Sequence, residues 1–193
     1  MGVAHRIVAS RHDEADVPGL APADLARAHA VEKAREVAAR AGVPRGGGVL
    51  GADTVVVVGD RVLGKPDDRD DAARMLDALG GRRHSVVTAV CLVVAGGEHV
   101  FADEAGVTYR PLHARLVDWY LDRGEWQGRA GGYAIQGSGA VLVDRVDGDF
   151  TTVVGLPVGR LSRLLEDVGL ADWGPPVDRG GPLPSGPAHP ADG

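Results

Sequence analysis

The chain has 193 residues, 44% of them hydrophobic and 25% charged, which fits one ordinary globular core and excludes a large multidomain assembly. Its 21 Lys and Arg against 27 Asp and Glu give a formal net charge of −6, which argues against non-specific binding to nucleic acid or an anionic membrane. The single cysteine, Cys91, excludes a disulfide framework and cysteine-based zinc motifs, and the sequence lacks a leader-like or membrane-spanning apolar run, so we expect a cytoplasmic protein that does not bind membranes.

The first half of the chain alternates between strand-like and helix-like patterns. The run 5–10 predicts a short strand. Apolar residues at helical spacing predict a helix over 22–42, with proline near its start and Gly42 after its end. The β-branched run 55–58 predicts a buried strand, and Gly59 and Asp60 form a typical two-residue turn into a short partner strand.

The second half continues in the same way. A helix is expected over 67–80, an antiparallel strand pair over 85–95 and 98–110, a helix over 113–124, a strand over 139–146, and a final helix from near Pro157. Hairpins interspersed with strand–helix units predict an α/β fold with a mixed β-sheet flanked by helices.

A change in composition divides the chain near residue 174. The segment 174–193 holds six prolines and five glycines, and it cannot bury enough apolar surface to offset its ordering entropy. We therefore expect a folded domain over 1–173 followed by a disordered tail over 174–193.

Two polar clusters interrupt the first apolar strands. Asp53 and Thr54 stand at the head of the Val-rich strand, where a carboxylate needs a cation, a metal or a backbone donor as partner; an aspartate that caps a turn is the alternative. Lys65, between Gly64 and Pro66, carries an ammonium suited to phosphate, although the tripeptide taken alone is more typical of a solvated loop lysine. A short hairpin would bring Lys65 back toward Asp53.

Two further clusters lie elsewhere. The glycine-rich segment 125–137 surrounds Arg129 and Gln136 and suggests a loop that closes on a ligand, or else a structural hinge. Glu14 and Lys33, in the N-terminal region, are solvated residues when considered singly. His84 is expected near a strand edge with a structural role, and Cys91 in the core.

Taken in chain order, these segments resemble the Maf family of nucleoside triphosphate pyrophosphatases. The resemblance rests on the acidic pair at 13–14, the EKA around Lys33, GADTVVVV at 51–58, LGKP at 63–66, GRRHSVVTAV at 81–90, the glycine-rich segment and VVGLP at 153–157. It extends over 2–170, and the GADT form resembles the branch that acts on dTTP and UTP.

The resemblance implies a two-lobed Maf- or ITPase-like protein with a nucleotide cleft between the lobes, which often forms a homodimer. It would hydrolyse the triphosphate to the monophosphate and pyrophosphate with a divalent cation, Mg²⁺ or Mn²⁺. It implies that Asp53 is the proton acceptor, that Lys65 and Lys33 contact phosphates, and that Glu14 helps to hold the metal. Because a cation held by Asp53 and Glu14 could activate the water, Asp53 either abstracts the proton or mainly places the metal, and the sequence does not separate these roles. The resemblance also places Thr54 and Gln136 at positions of substrate choice and Arg129 near the phosphates.

The chain departs from the family pattern at its start. The family begins with a strand and an SxSPRR-like segment, whereas residues 10–14 fit a later S-x-x-D-E element. One hypothesis is an active enzyme whose recorded start is misplaced; the alternative is a truncated, weakly active or inactive nucleotide-binding or regulatory protein. Smaller departures are Arg129, where the family commonly has lysine, and Thr152, where asparagine is frequent.

Overall fold

A five-stranded sheet forms the centre of the protein, in the order β2-β1-β3-β4-β5. The computed structural model describes residues 2–14 and 19–174, and the predicted tail, apart from Gly174, lies outside them. The strands are β1 (Gly48–Val58), β2 (Arg61–Leu63), β3 (Arg83–Val94), β4 (Gly97–Tyr109) and β5 (Val143–Asp147). The helices are α1 (Pro22–Ala41), α2 (Arg69–Leu79), α3 (Ala114–Leu121), α4 (Phe150–Val154) and α5 (Val158–Asp167).

The expected α/β class with flanking helices is confirmed, but the described strand pairs are all antiparallel rather than mixed. Two-residue turns join β1 to β2 and β3 to β4, and such turns can connect only antiparallel neighbours. The segment from β2 through α2 then brings the chain to β3 in the direction opposite to β1.

Helices cover both faces of the sheet. On one face, small residues of α1, among them Ala30 and Ala34, pack against Val55 and Val87. On the other face, α2, α3 and the glycine-rich segment enclose a larger core around Val56 and Val86, and α5 packs farther along the same sheet. Because successive strand residues point to opposite faces, Val55 and Val56 serve different cores.

The approach of α1 to β1 is very close at Gly51. A Cβ atom placed on Gly51 would lie 2.5 Å from the carbonyl oxygen of Ala30 and 2.8 Å from the backbone nitrogen of Ala34. Only glycine allows helix and strand backbones to meet at this distance. The contact fixes the height of α1 above the strand that carries Asp53.

Two sequence predictions of strands need correction. Residues 5–10 are not a strand: the extended segment lies along α1, where Arg40 donates to the Ala9 carbonyl at 2.7 Å and the Arg11 backbone N–H donates to Glu36 at 3.1 Å. The strand predicted over 139–146 is shorter and later, because Gly137–Leu142 forms a 3₁₀ turn before β5. The sequence pattern also missed α4, which is too short to show a helical period.

The helix and hairpin predictions are otherwise confirmed. The C-terminal residue of α1 is followed by Gly42, whose φ of 78° suits glycine, and Asp68 caps α2 by accepting the Asp71 N–H. In the described residues no helix combines the length and the apolarity that a membrane crossing requires.

Candidate active site

A cleft of about 630 Å³ opens at the edge of β1. The short strand β2 pairs only with residues 56–58, so the earlier part of β1 has no strand partner on that side in the described structure. Each residue predicted for the site lines this cleft: Glu14, Lys33, Asp53, Thr54, Lys65, Arg129 and Gln136. Their roles stay predictions, but the fold brings them together from five separate segments.

Asp53 and Thr54 occupy opposite sides of the strand at this edge. Asp53 points toward α1, where Lys33 contacts it, and Thr54 points toward the α4 side, where Thr88 contacts it. The cleft therefore has a lysine side, on which α1, the N-terminal segment and Lys65 converge, and a threonine side, formed by the glycine-rich segment and the loop after α4.

A continuous chain of ion pairs forms the lysine side. Lys33 Nζ donates to Asp53 Oδ1 at 2.6 Å and to Glu14 Oε1 at 2.7 Å, and Lys65 Nζ donates to Glu14 Oε2 at 2.5 Å. Lys65 therefore returns toward Asp53 as expected, and the two residues are linked through Glu14 and Lys33. Two ammonium groups and two carboxylates share one wall of the cleft.

Burial and pairing shift the pKa values of this chain. Burial is the largest effect on Asp53 and raises its pKa, although Lys33 opposes the change. Burial also acts on Glu14, but hydrogen bonds from Lys33 and Lys65 outweigh it and lower the Glu14 pKa to about 2. The pKa of Lys33 is raised by the two carboxylates against the effect of burial. On the lysine side each carboxylate is thus paired with at least one ammonium group.

The lysine side offers hard oxygen ligands for a divalent cation. Within residues 2–14 and 19–174 no group of three or more His, Cys, Asp or Glu side chains is placed to hold a metal. Mg²⁺ is commonly bound by one or two carboxylates together with substrate phosphates and water. Asp53 and Glu14, linked by the same ammonium, fit such a site, and phosphate oxygens would complete it.

The glycine-rich segment is held in place by side chains on both of its flanks. The Glu125 carboxylate accepts the Ser138 backbone N–H at 3.0 Å, and the Tyr120 hydroxyl accepts the Ala134 N–H at 3.0 Å. Tyr133 OH and His84 Nε2 lie 2.9 Å apart, both side chains being buried. Gln136 therefore lies on a segment that these hydrogen bonds hold at the cleft; its role in binding stays a prediction, and so does the hinge alternative.

Of the residues around the predicted site, the sequence predicts a structural role for His84 but not for the pair His12 and His29. His84 has the expected structural role, but it is fully buried; its pKa is lowered to about 4 by burial and by Arg83, so its ring is neutral beside Tyr133. His12 Nε2 and His29 Nδ1 lie 2.9 Å apart beside a second cavity of about 500 Å³ that adjoins the lysine side. Cys91 is buried in the core, as predicted.

Comparisons with known proteins show what this chain is similar to. A family model described as "Maf-like protein" matches residues 1–168. A dTTP/UTP pyrophosphatase of Moorella thermoacetica is 44% identical over 176 residues, which cover 90% of this chain and 89% of the relative. Proteins of the same name from Symbiobacterium thermophilum and Anaeromyxobacter dehalogenans are 42% and 44% identical over 169 and 173 residues, in each case 88% of this chain and 86% of the relative.

Proposed function

The chain belongs to the Maf family, and on that basis we propose that it hydrolyses a nucleoside triphosphate, dTTP or UTP, to the monophosphate and pyrophosphate. The observation that carries the proposal is the charge network of Lys33, Asp53, Glu14 and Lys65 in one wall of a nucleotide-sized cleft. The choice of dTTP or UTP follows relatives named dTTP/UTP pyrophosphatase, which are 40–44% identical to the chain over the aligned residues.

The reaction transfers the α-phosphoryl group to water. The water oxygen bonds to the α-phosphorus, the bond from that phosphorus to the α–β bridging oxygen breaks, and pyrophosphate leaves with the electron pair. Asp53 accepts the proton that the water loses, and its raised pKa makes it a stronger base than an exposed aspartate. Because Lys33 donates to Oδ1 of Asp53, the carboxylate is held in one orientation beside the cleft.

The lysines bind the phosphate oxygens. Lys65 is half exposed at the cleft and its only resolved partner among the described side chains is Glu14, so its ammonium can turn toward a phosphate. Lys33 is 18% exposed and contacts both carboxylates, so it joins the base to the phosphate site. Arg129 at the exposed rim adds a guanidinium for the outer phosphates.

A Mg²⁺ or Mn²⁺ ion held by Asp53 and Glu14 would neutralise phosphate charge and lower the pKa of the attacking water. The two lysines would then balance charge on the substrate as well as that on Asp53 and Glu14. A homodimer remains part of the proposal on the basis of the family resemblance, and a cytoplasmic location on the basis of the single cysteine.

Pyrophosphate release from UTP, dTTP, CTP, ATP and 7-methyl-GTP, measured with and without Mn²⁺, tests the proposal. We expect cation-dependent release that is fastest with UTP and dTTP, and loss of release in Asp53→Asn with a melting temperature near that of the wild type. Binding of dTTP without any release would favour the regulatory alternative, and full activity of Asp53→Asn would refute the assigned base.

A further inference from the structure

A row of polar side chains crosses the sheet behind the threonine side of the cleft. Thr54 of β1 is directly opposite Thr88 of β3, which is directly opposite Asp103 of β4. Thr152 of α4 lies over this row. The hydroxyls of Thr54 and Thr88 are 2.8 Å apart, Thr88 Oγ1 is 2.7 Å from the Thr152 carbonyl oxygen, and Thr152 Oγ1 is 2.7 Å from Asp103 Oδ2.

The Thr152 carbonyl oxygen fixes the direction of the hydrogen bonds made by the Thr88 and Thr54 hydroxyls. A carbonyl oxygen can only accept, so the single hydroxyl proton of Thr88 is committed to Thr152. The 2.8 Å contact between Thr54 and Thr88 then requires that the Thr54 hydroxyl donate to Thr88. Thr88 and Thr152 are fully buried, so no solvent competes for the Thr88 proton, whereas Thr54 is partly exposed to the cleft.

Because the Thr54 proton is donated to Thr88, the Thr54 hydroxyl can act toward a ligand only as an acceptor. Its only hydrogen points away from the cleft, which leaves the Thr54 oxygen as an acceptor toward the cleft that it lines. Gly155 preserves the space beside this oxygen, because a Cβ atom on Gly155 would lie 3.4 Å from Thr54 Oγ1. The φ of 110° at Gly155 also disfavours any side chain there.

The threonine side of the cleft suits a nucleobase rather than phosphates. Its walls near Thr54 include the apolar residues Val56, Val86, Ile135 and Val153, whereas the lysines lie on the opposite side of β1. Uracil and thymine present an imide N3–H donor on their pairing edge. Cytosine presents a lone pair at the same nitrogen, which would face the lone pairs of Thr54.

We propose that Thr88 is a positioning residue for base selection: it holds Thr54 Oγ1 as a fixed acceptor for the imide N3–H of uracil or thymine and thereby disfavours cytosine. The inference rests on the proposed nucleotide hydrolysis for its ligand, but the direction of the hydrogen bonds is independent of it. The Thr152 backbone carbonyl accepts the Thr88 proton, and the Asp103 carboxylate orients the Thr152 side chain by accepting its hydroxyl proton.

Binding measured without turnover separates this proposal from the proposed reaction. In the Asp53→Asn background, the Kd values of UTP and CTP are determined by calorimetry for the parent, for Thr88→Val and for Thr88→Ser. Thr88→Val frees the Thr54 proton to rotate toward N3 of cytosine, so we expect the preference for UTP over CTP to fall roughly tenfold. Thr88→Ser retains the hydroxyl and should keep the preference within about twofold.

A second arm tests whether Thr88 acts through Thr54. Thr54→Val should also reduce the preference, and adding Thr88→Val to it should change the preference no further. A purely structural role of Thr88 would weaken both nucleotides equally. An unchanged UTP-to-CTP ratio in Thr88→Val, or a parent protein without preference for UTP, would overturn the proposal. Failure of the wild type to release pyrophosphate would overturn the proposed reaction, and the Kd ratio would still decide the role of Thr88.

Discussion

Lys33 has a double role at the centre of the site. Its ammonium contacts Asp53, whose side chain is 7% exposed, and Glu14, whose side chain is 32% exposed. Burial raises the pKa of Asp53 and Lys33 opposes that effect, so loss of the ammonium would shift the Asp53 pKa farther upward. Lys33 therefore favours the ionised form of the base and also bridges it to the N-terminal segment that carries Glu14.

Removal of the Lys33 charge should cost stability as well as activity. We expect Lys33→Met to lower the free energy of unfolding by about 2 kcal/mol, less than the loss of a fully buried pair because Lys33 is partly exposed. The double variant Lys33→Met/Asp53→Asn should recover most of that loss, since no unpaired carboxylate remains. Urea denaturation at pH 7 measures both; a double variant as unstable as Lys33→Met would contradict the assignment.

Glu14 should make stability depend on acid pH. Its folded-state pKa of about 2 lies below the ordinary value of 4.5, so the folded protein binds fewer protons there than the unfolded chain. The stabilisation is present above pH 4.5 and is lost as the pH falls toward 2. The stability difference between wild type and Glu14→Gln should therefore shrink over that window in urea denaturation.

Glu32→Gln, which removes an exposed carboxylate from α1, is the matched control for this measurement. A wild-type advantage over Glu14→Gln that is as large at pH 2.5 as at pH 7 would show that the two lysines do not stabilise the Glu14 carboxylate.

At the scale of elements, the site depends on the contact between α1 and β1. Helix α1 presents small residues to the sheet, and Gly51 lets its backbone reach the strand two residues before Asp53. The 3.4 Å approach of Lys33 Nζ to the Ala52 carbonyl belongs to the same contact. A displacement of the helix would therefore change the distance between Lys33 and Asp53 directly.

Gly51→Ala tests this contact. The added methyl would meet backbone atoms of Ala30 and Ala34 that cannot move separately, so we expect a loss of about 1–3 kcal/mol of stability and a fall in kcat. Gly96→Ala, at the open turn between β3 and β4, introduces the same methyl into free space and should have a small effect on both. Denaturation and pyrophosphate release measure the two effects; similar behaviour of the two variants would contradict the close-contact argument.

The elements that could be predicted from the sequence are those whose own residues determine them. Helix α1 has apolar residues at helical spacing over a long segment and is followed by Gly42. The β1–β2 hairpin has typical turn residues between its strands. The segment 5–10 has a strand-like composition, but its backbone groups bond to side chains of α1 instead of to another strand. The polar row is equally non-local, because Thr54 and Thr88 are 34 residues apart and Thr152 lies 64 residues beyond Thr88.

At the scale of the whole molecule, the cleft lies between structures packed on opposite faces of one sheet. The lysine side is built on the α1 face, and the threonine side on the face that carries α4 and the glycine-rich segment. The net charge of −6 would repel a free triphosphate at long range, so affinity must come from contacts within the cleft. A ligand long enough to contact both sides at once gains binding free energy from each side.

Thermal unfolding with ligands measures that combined contact. In Asp53→Asn, UTP at a hundred times its Kd should stabilise the fold by about 2.7 kcal/mol, which raises Tm by about 5–10 °C for a chain of this size. At the same concentration UMP lacks the outer phosphates for Lys65 and Arg129, and pyrophosphate lacks the base for the threonine side. Each should therefore give a smaller rise than UTP, whereas a rise with UMP equal to that with UTP would mean that the lysine side contributes nothing to binding.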